Sequence, residues 1–173
     1  LGVQFVYNTR FGKDVTLEEM KREGFDAFFI AIGAHKAWDL EIEGEKQFPK
    51  VLEAVAFLKD VALGDHHAPG RQVVVIGGGN VAIDAARTSL RLGAQRVTIA
   101  YRRSRNQMPA DIDEVEQAEE EGIEFAFLTI PTKITGENQI ITGLDCIKAE
   151  LVKKKGSDRL APVPIEGQEF TIK

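Results

Sequence analysis

The sequence predicts an α/β fold, a doubly wound parallel sheet joined to a small antiparallel β-meander, and three observations predict it. Gln72-Val-Val-Val-Ile76 is an apolar, mostly β-branched run of the kind found in strands buried on both faces. Gly77-Gly-Gly79 follows at once and opens a helical pattern from Asn80 to about Leu92, after which Arg96-Val-Thr-Ile-Ala-Tyr101 reads as a second strand. From Ile123 onward the pattern changes to closely spaced short strands. Strand, glycine turn, helix and strand within about thirty residues is the Rossmann-like context in which G-x-G-x-x-G carries meaning.

In that motif Gly77, Gly79 and Ala82 occupy the three places, and alanine at the third is a permitted variant. Glycines let the backbone turn tightly and approach a ligand with no Cβ in the way. The unpaired N–H groups of the helix N-terminus and the positive end of its dipole suit a pyrophosphate. NAD binders usually offer an acidic residue to the ribose after the second strand. This chain offers Arg102, Arg103 and Arg105. A guanidinium suits the 2′-phosphate of NADP by charge and by its planar fork of donors, so NADP is expected over NAD. The alternative is a solvated basic loop.

The remaining elements follow in order. Val3 to Tyr7 reads as a short strand. Thr16-Leu-Glu-Glu19 has capping-box spacing for a helix that Gly24 stops. Phe25 to Gly33 reads as a buried strand leaving through a glycine, with Phe28 to Ile32 a candidate fourth strand of the parallel core. An irregular link runs from Ala34 to Lys46, and Pro49 to Lys59 reads as a helix with Val51, Leu52, Val55 and Leu58 at helical spacing. In the helix after the glycines, Arg87 and Arg91 are expected to face outward; Asp84 either orients a neighbouring loop or partner or sits at the surface. Asp111 can cap a helix that carries Ile112, Val115 and Ala118 as its apolar stripe and ends at Gly122. Its acidic face, Glu116 to Glu121, reads as solvated surface. Ile123 to Leu128 is the third strand. Lys133–Thr135, Ile140–Thr142 and Leu144–Val152 form the meander, broken at Gly136-Glu-Asn and Gly143; Lys153-Lys-Lys-Gly-Ser157 is a turn, and Pro162 and Pro164 keep the next segment extended before a strand at Phe170.

Composition narrows the function. A net charge of −5 over 173 residues argues against a nucleic-acid surface. Cys146 is the only cysteine, so these residues offer no redox pair for disulfide reduction and no iron–sulfur ligand set. No apolar run approaches the roughly 20 residues of a membrane helix, and a soluble cytoplasmic protein is expected. Neither Tyr7 nor Tyr101 has the Lys four residues later that a short-chain dehydrogenase requires; Phe11 and Arg105 stand there. His66-His67 lacks helical spacing for a metal, His35 reads as a linker residue, and no metal site is expected. Leu1-Gly-Val-Gln reads like the middle of a longer chain, so an excised piece is expected.

Gly77-Gly-Gly-Asn-Val-Ala-Ile-Asp-Ala-Ala-Arg87, with Tyr101-Arg-Arg-Ser-Arg105, Met108-Pro and the helix ending Glu119-Glu-Glu-Gly122, resembles the glutamate synthase small (beta) subunit family, nearly over the whole chain. The resemblance implies a flavoprotein whose NADPH-binding domain is inserted between two halves of an FAD-binding domain. It implies boundaries at 1–33 for a fragment of the FAD domain, 34–160 for the NADPH domain and 161–173 for a segment returning to the FAD domain. Gly77, Gly78, Gly79, Asn80 and Val81 would hold the pyrophosphate. Arg102 and Arg103 would hold the 2′-phosphate, with Arg105 a further candidate, and Gly33 would lie where nicotinamide and flavin meet. Hydride would pass from NADPH to FAD and on to iron–sulfur centres, with a large catalytic or iron–sulfur subunit as a possible partner. No first G-x-G-x-x-G precedes residue 33, so FAD is expected in the full-length protein and not in this chain alone; the flanks Leu1–Ile32 and Gly167–Lys173 read as edges of that domain. The rival reading is a module that senses NADP(H) without chemistry, which would keep the same glycines and arginines.

Overall fold

The computed structural model describes residues 2–33, 38–153 and 159–173. His35 and most of the turn expected at Lys153 to Ser157 lie outside the described residues. The chain divides into two units, Leu1–Ala34 and His35–Lys173.

The first unit contains one helix, α1 (Leu17–Arg22). The capping box forms as its spacing requires: Glu19 N–H donates to Thr16 Oγ1, and Thr16 N–H donates at 2.8 Å to Glu19 Oε2. Gly24, at φ 95°, follows its end. The two strands expected at Val3–Tyr7 and Phe25–Gly33 do not form, and Phe28 to Ile32 joins no parallel sheet. A strand needs a neighbour to take its N–H and C=O groups, and none pairs with these segments among the described residues. Their apolar side chains are accordingly exposed, Phe29 to 94% and Ile30 to 75%.

The second unit begins with α2 (Ala54–Ala62), which starts later than Pro49 because residues 48–51 fold into a turn, with Val51 N–H donating to the Phe48 carbonyl. It then runs β1 (Gln72–Ile76), α3 (Asn80–Arg91), β2 (Arg96–Tyr101), α4 (Ile112–Glu120) and β3 (Glu124–Phe127). The three strands are parallel in the order β1-β2-β3, with Val73 beside Val97, Ile76 beside Ala100 and Ala100 beside Ala126. Leu128, at φ 51°, turns the chain out of this sheet into a second, antiparallel one. That sheet consists of β4 (Thr129–Glu137), β5 (Ile140–Val152) and β6 (Ala161–Ile172).

The meander is longer than the sequence reading made it. Its hairpin turns at Asn138 and Gln139, φ 50° and 64°, the left-handed pair of a tight two-residue connection. Gly143 does not break β5. A Cβ there would come within 2.7 Å of Thr171 Cγ2 on β6, so this glycine permits close strand packing in a continuous strand. β6 pairs with β5 from Ala161 opposite Val152 to Ile172 opposite Leu144, which builds residues 161–172 into the meander.

Strand β1 explains how the layers assemble. Val73 and Val75 point to a core with Ile83, Ala86, Val97, Ile99, Val115 and Ala118, contributed largely by α3 and α4. Val74 and Ile76 point the opposite way, to Ile134, Leu144 and Cys146 of the meander with Phe48, Phe170 and Ile172. The parallel sheet is therefore covered by helices on one face and by β-structure on the other. Ile83, Val97 and Ile99 are wholly buried, and each such side chain contributes on the order of 1.5–3 kcal/mol. Burial pushes the Cys146 thiol up to about 11, which makes it a packing residue rather than a nucleophile.

Arg87 does not face outward as expected. Its guanidinium is held between α3 and α4, where Nη2 lies 2.6 Å from Glu121 Oε1 and 3.1 Å from Gln117 Oε1; the exposed Arg91 adds a 2.8 Å contact to the same carboxylate oxygen. The Arg87 hydrogen bond, reinforced by the charges of Arg87 and Arg91, lowers the Glu121 carboxyl below the ordinary glutamate value. A carboxyl lowered in the folded state stabilises fully above its unfolded pKa and loses that contribution as pH falls through the folded one. Thermal melts of wild type and Glu121→Gln should therefore differ most near neutral pH, with wild type the more stable, and converge as pH falls below the ordinary glutamate value and through the lowered one. A gap that stays constant with pH would assign the effect to packing alone.

Candidate nucleotide-binding site

The site is built where β1 runs into α3. Gly77 takes φ 141° and donates its N–H to the Ala100 carbonyl at the end of β2. Gly78 is buried against Tyr101, and a Cβ built on it would fall 2.5–2.9 Å from the ring carbons. Only glycine fits there without moving the ring. Gly79 is the N-cap of α3, with nothing within 4 Å of where its Cβ would be, and its carbonyl accepts from the N–H groups of Ala82 and Ile83. Ala82 replaces the third glycine without conflict: its Cβ stands at an ordinary 3.5 Å from a Cβ built on Gly77.

No side chain caps α3 and no carboxylate sits in its first turn. The N–H groups of Asn80 and Val81, the first of this 12-residue helix, have no intrahelical acceptors, so they and the helix dipole present positive potential beside the glycine turn. A bulky or acidic residue would close this cradle. Its donors and its lack of Cβ atoms fit a pyrophosphate. Val81 is exposed on the first turn, and Asp84 lies exposed one turn further in.

Three hydrogen bonds fix the following loop, the first to the tyrosine that packs on Gly78 and the other two to the turn itself. Tyr101 Oη donates at 2.8 Å to the Gln107 carbonyl, Ala110 N–H donates at 3.1 Å to the Gly78 carbonyl, and Asp111 N–H donates at 2.9 Å to Asn80 Oδ1. The Asn80 side chain thus organises the loop, which the sequence reading did not foresee. Asp111 in turn caps α4 by accepting from Asp113 N–H. Tyr101 was likewise missed as a site residue. Its signal was an aromatic closing the second strand beside a run of glycines.

The three arginines on this loop have different surroundings. Arg102 is exposed and makes no hydrogen bond or ion pair among the described residues. Arg103 is half-buried, with Nε donating at 3.2 Å to the Leu160 carbonyl. Arg105 opens a 3₁₀ turn (Arg105–Gln107) and pairs with Glu119 on α4, Nη2 to Oε2 at 2.6 Å. Gly77 to Val81 therefore form one continuous turn into α3, with the arginine loop fastened to it through Gly78 and Asn80. Gly33 belongs to the first unit, where it holds φ 68°. His67 Nδ1 lies 2.7 Å from Asp65 Oδ1 on the surface, and among the described residues no three His, Cys, Asp or Glu side chains gather as metal ligands. No helix among them is long and apolar enough to cross a membrane.

Residues 2–162 match the family described as pyridine nucleotide-disulphide oxidoreductase. The chain is 44% identical over 175 residues to the NADPH-Fe(3+) oxidoreductase subunit beta of Geobacter sulfurreducens, with 99% of this chain and 26% of that protein aligned. It is 36% identical to the glutamate synthase [NADPH] small chain of Azospirillum brasilense, again over 99% of this chain but 37% of the relative. The chain thus spans well under half the length of these relatives. Mycobacterium tuberculosis FprA in complex with NADPH has the same fold at a TM-score of 0.73 and 22% identity, over 95% of this chain and 51% of that one.

Two glycine variants test the cradle. Gly78→Ala should displace the Tyr101 ring, lower stability by about 1–3 kcal/mol and abolish dinucleotide binding in calorimetric titration. Gly79→Ala has room for its methyl and should melt close to wild type, yet bind dinucleotide more weakly because that methyl stands in the approach to the helix. Undiminished binding by both would rule this turn out as the site.

Proposed function

The chain belongs to the pyridine nucleotide-disulphide oxidoreductase family, and we propose that it is the NADPH-binding part of a flavin-dependent oxidoreductase that passes hydride from NADPH to FAD and on to iron–sulfur centres. The observation that carries this reading is the uncapped N-terminus of α3 over Gly77–Gly79, joined by two hydrogen bonds and the Tyr101 ring to a loop that presents the exposed Arg102. The names of the Geobacter and Azospirillum relatives, one an NADPH-Fe(3+) oxidoreductase subunit and the other an NADPH-dependent glutamate synthase chain, support it.

In this proposal the backbone N–H groups of Gly78 to Val81 hold the pyrophosphate, and Arg102 and Arg103 receive the 2′-phosphate. Arg103 has its Nε committed to Leu160, which leaves its terminal nitrogens for an anion. Arg102 can turn its whole fork toward one. Bound there, the nicotinamide supplies the hydride, and handing it to a flavin requires no proton-transfer group from the protein. These residues therefore have the work of binding and orientation, which is where the protein's share of such a reaction lies. Gly33 is assigned to the junction with the flavin, and FAD to residues of a longer protein. A large catalytic or iron–sulfur subunit, as the partner of a cytoplasmic enzyme, completes the proposal.

Losing a charge-assisted contact to a phosphate costs about 1.5–3 kcal/mol, roughly ten- to a hundredfold in affinity. Titration of NADPH and NADH into Arg102→Ala should show a loss of that size for NADPH and little change for NADH. An equal loss for both cofactors would place the 2′-phosphate elsewhere.

A further inference from the structure

We propose that Glu119 is a specificity-determining residue: it holds Arg105 when no nucleotide is present and competes with the 2′-phosphate for that guanidinium, limiting how strongly the site prefers the phosphorylated cofactor. The proposal rests on the reading that the loop after β2 receives the 2′-phosphate.

The argument starts from the loop's three cationic side chains. Arg102 has no partner to give up among the described residues, and Arg103 donates to a main-chain carbonyl, which carries no net charge. Among the described residues Arg105 alone of the three is neutralised by a carboxylate, with Nη2 at 2.6 Å from Oε2 and Nε at 3.4 Å from Oε1 of Glu119. Glu119 belongs to the acidic face of α4, which on sequence grounds reads as mere solvated surface. The backbone beneath Arg105 is fixed, because Met108 N–H donates to the Arg105 carbonyl and Tyr101 Oη to that of Gln107. Only the side chain is left to move.

Both partners are about one-third exposed, at 35% and 39%, and ion pairs of that exposure are weak. A phosphate dianion with three acceptor oxygens forms stronger charge-assisted hydrogen bonds to the same fork. NADPH can therefore draw Arg105 from Glu119, at the expense of the existing pair. NADH has no 2′-phosphate to make the exchange, so Glu119 leaves its affinity unchanged. The carboxylate acts on one cofactor and not the other, which defines a specificity residue.

Dissociation constants of NADPH and NADH, measured calorimetrically at low salt for Glu119→Gln, Arg105→Ala, the double variant and Glu120→Gln, test this. Glu119→Gln should tighten NADPH about two- to fivefold and leave NADH unchanged. The double variant should bind as Arg105→Ala does, and Glu120→Gln, which removes the neighbouring exposed charge, should bind as wild type. An unchanged NADPH constant in Glu119→Gln, an equal change for both cofactors, persistence of the gain without Arg105, or the same gain in Glu120→Gln would each overturn the role of Glu119. Wild-type protein that fails to prefer NADPH would instead overturn the underlying reading of the loop, and this proposal with it.

Discussion

The contact between Gly78 and the Tyr101 ring is the constraint on which this structure depends. It exists because β1 and β2 are parallel neighbours in a register that sets Ile76 beside Ala100, bringing the first residues past β1 over the last residue of β2. With the ring filling the space below, the glycine backbone has one path into α3. The same tyrosine reaches forward to the Gln107 carbonyl, so the loop after β2 is fastened to the turn after β1. Phosphate cradle and arginine loop are thus two ends of one arrangement, held by a residue that contributes no charge to either.

Much of this was legible in the chain. The bounds of β1 and β2, and those of α3 to within a residue, are those read from the sequence, because each is decided locally: a β-branched run, glycines that free the backbone, and a periodic helix closed by Gly93. The capping box at Thr16 formed for the same reason. The glycines of the cradle were equally legible, since their role follows from having no Cβ.

What stayed hidden depends on distant residues. Phe25 to Gly33 is as apolar as β1, but apolarity says that a strand needs cover without saying which strand supplies it. Gly143 looked like a break because a sequence does not show Thr171 across the sheet. Arg87 looked like surface because Glu121, which holds it, lies 34 residues further on. The loop arginines show this most plainly. Their identity as cations was visible, but their availability was not, because Leu160 and Glu119 reach them only through the fold.

β1 sends Val73 and Val75 into the helical core and Val74 and Ile76 into the meander core, and it ends in the glycine turn. One short strand is therefore the common wall of two tightly packed compartments and also the stem of the ligand cradle. Close-packed interiors pass a change of volume on to their neighbours rather than absorbing it. A methyl group removed at Leu144 or Ile134 is thus felt on the same strand as one removed at Val97 or Val115, though the two pairs belong to different core clusters. Through this strand the meander acts as a back-stop for the cradle. Sequence drift in a sheet that holds none of the residues assigned to the ligand can still reset the position of the helix N-terminus, so the two compartments must evolve together.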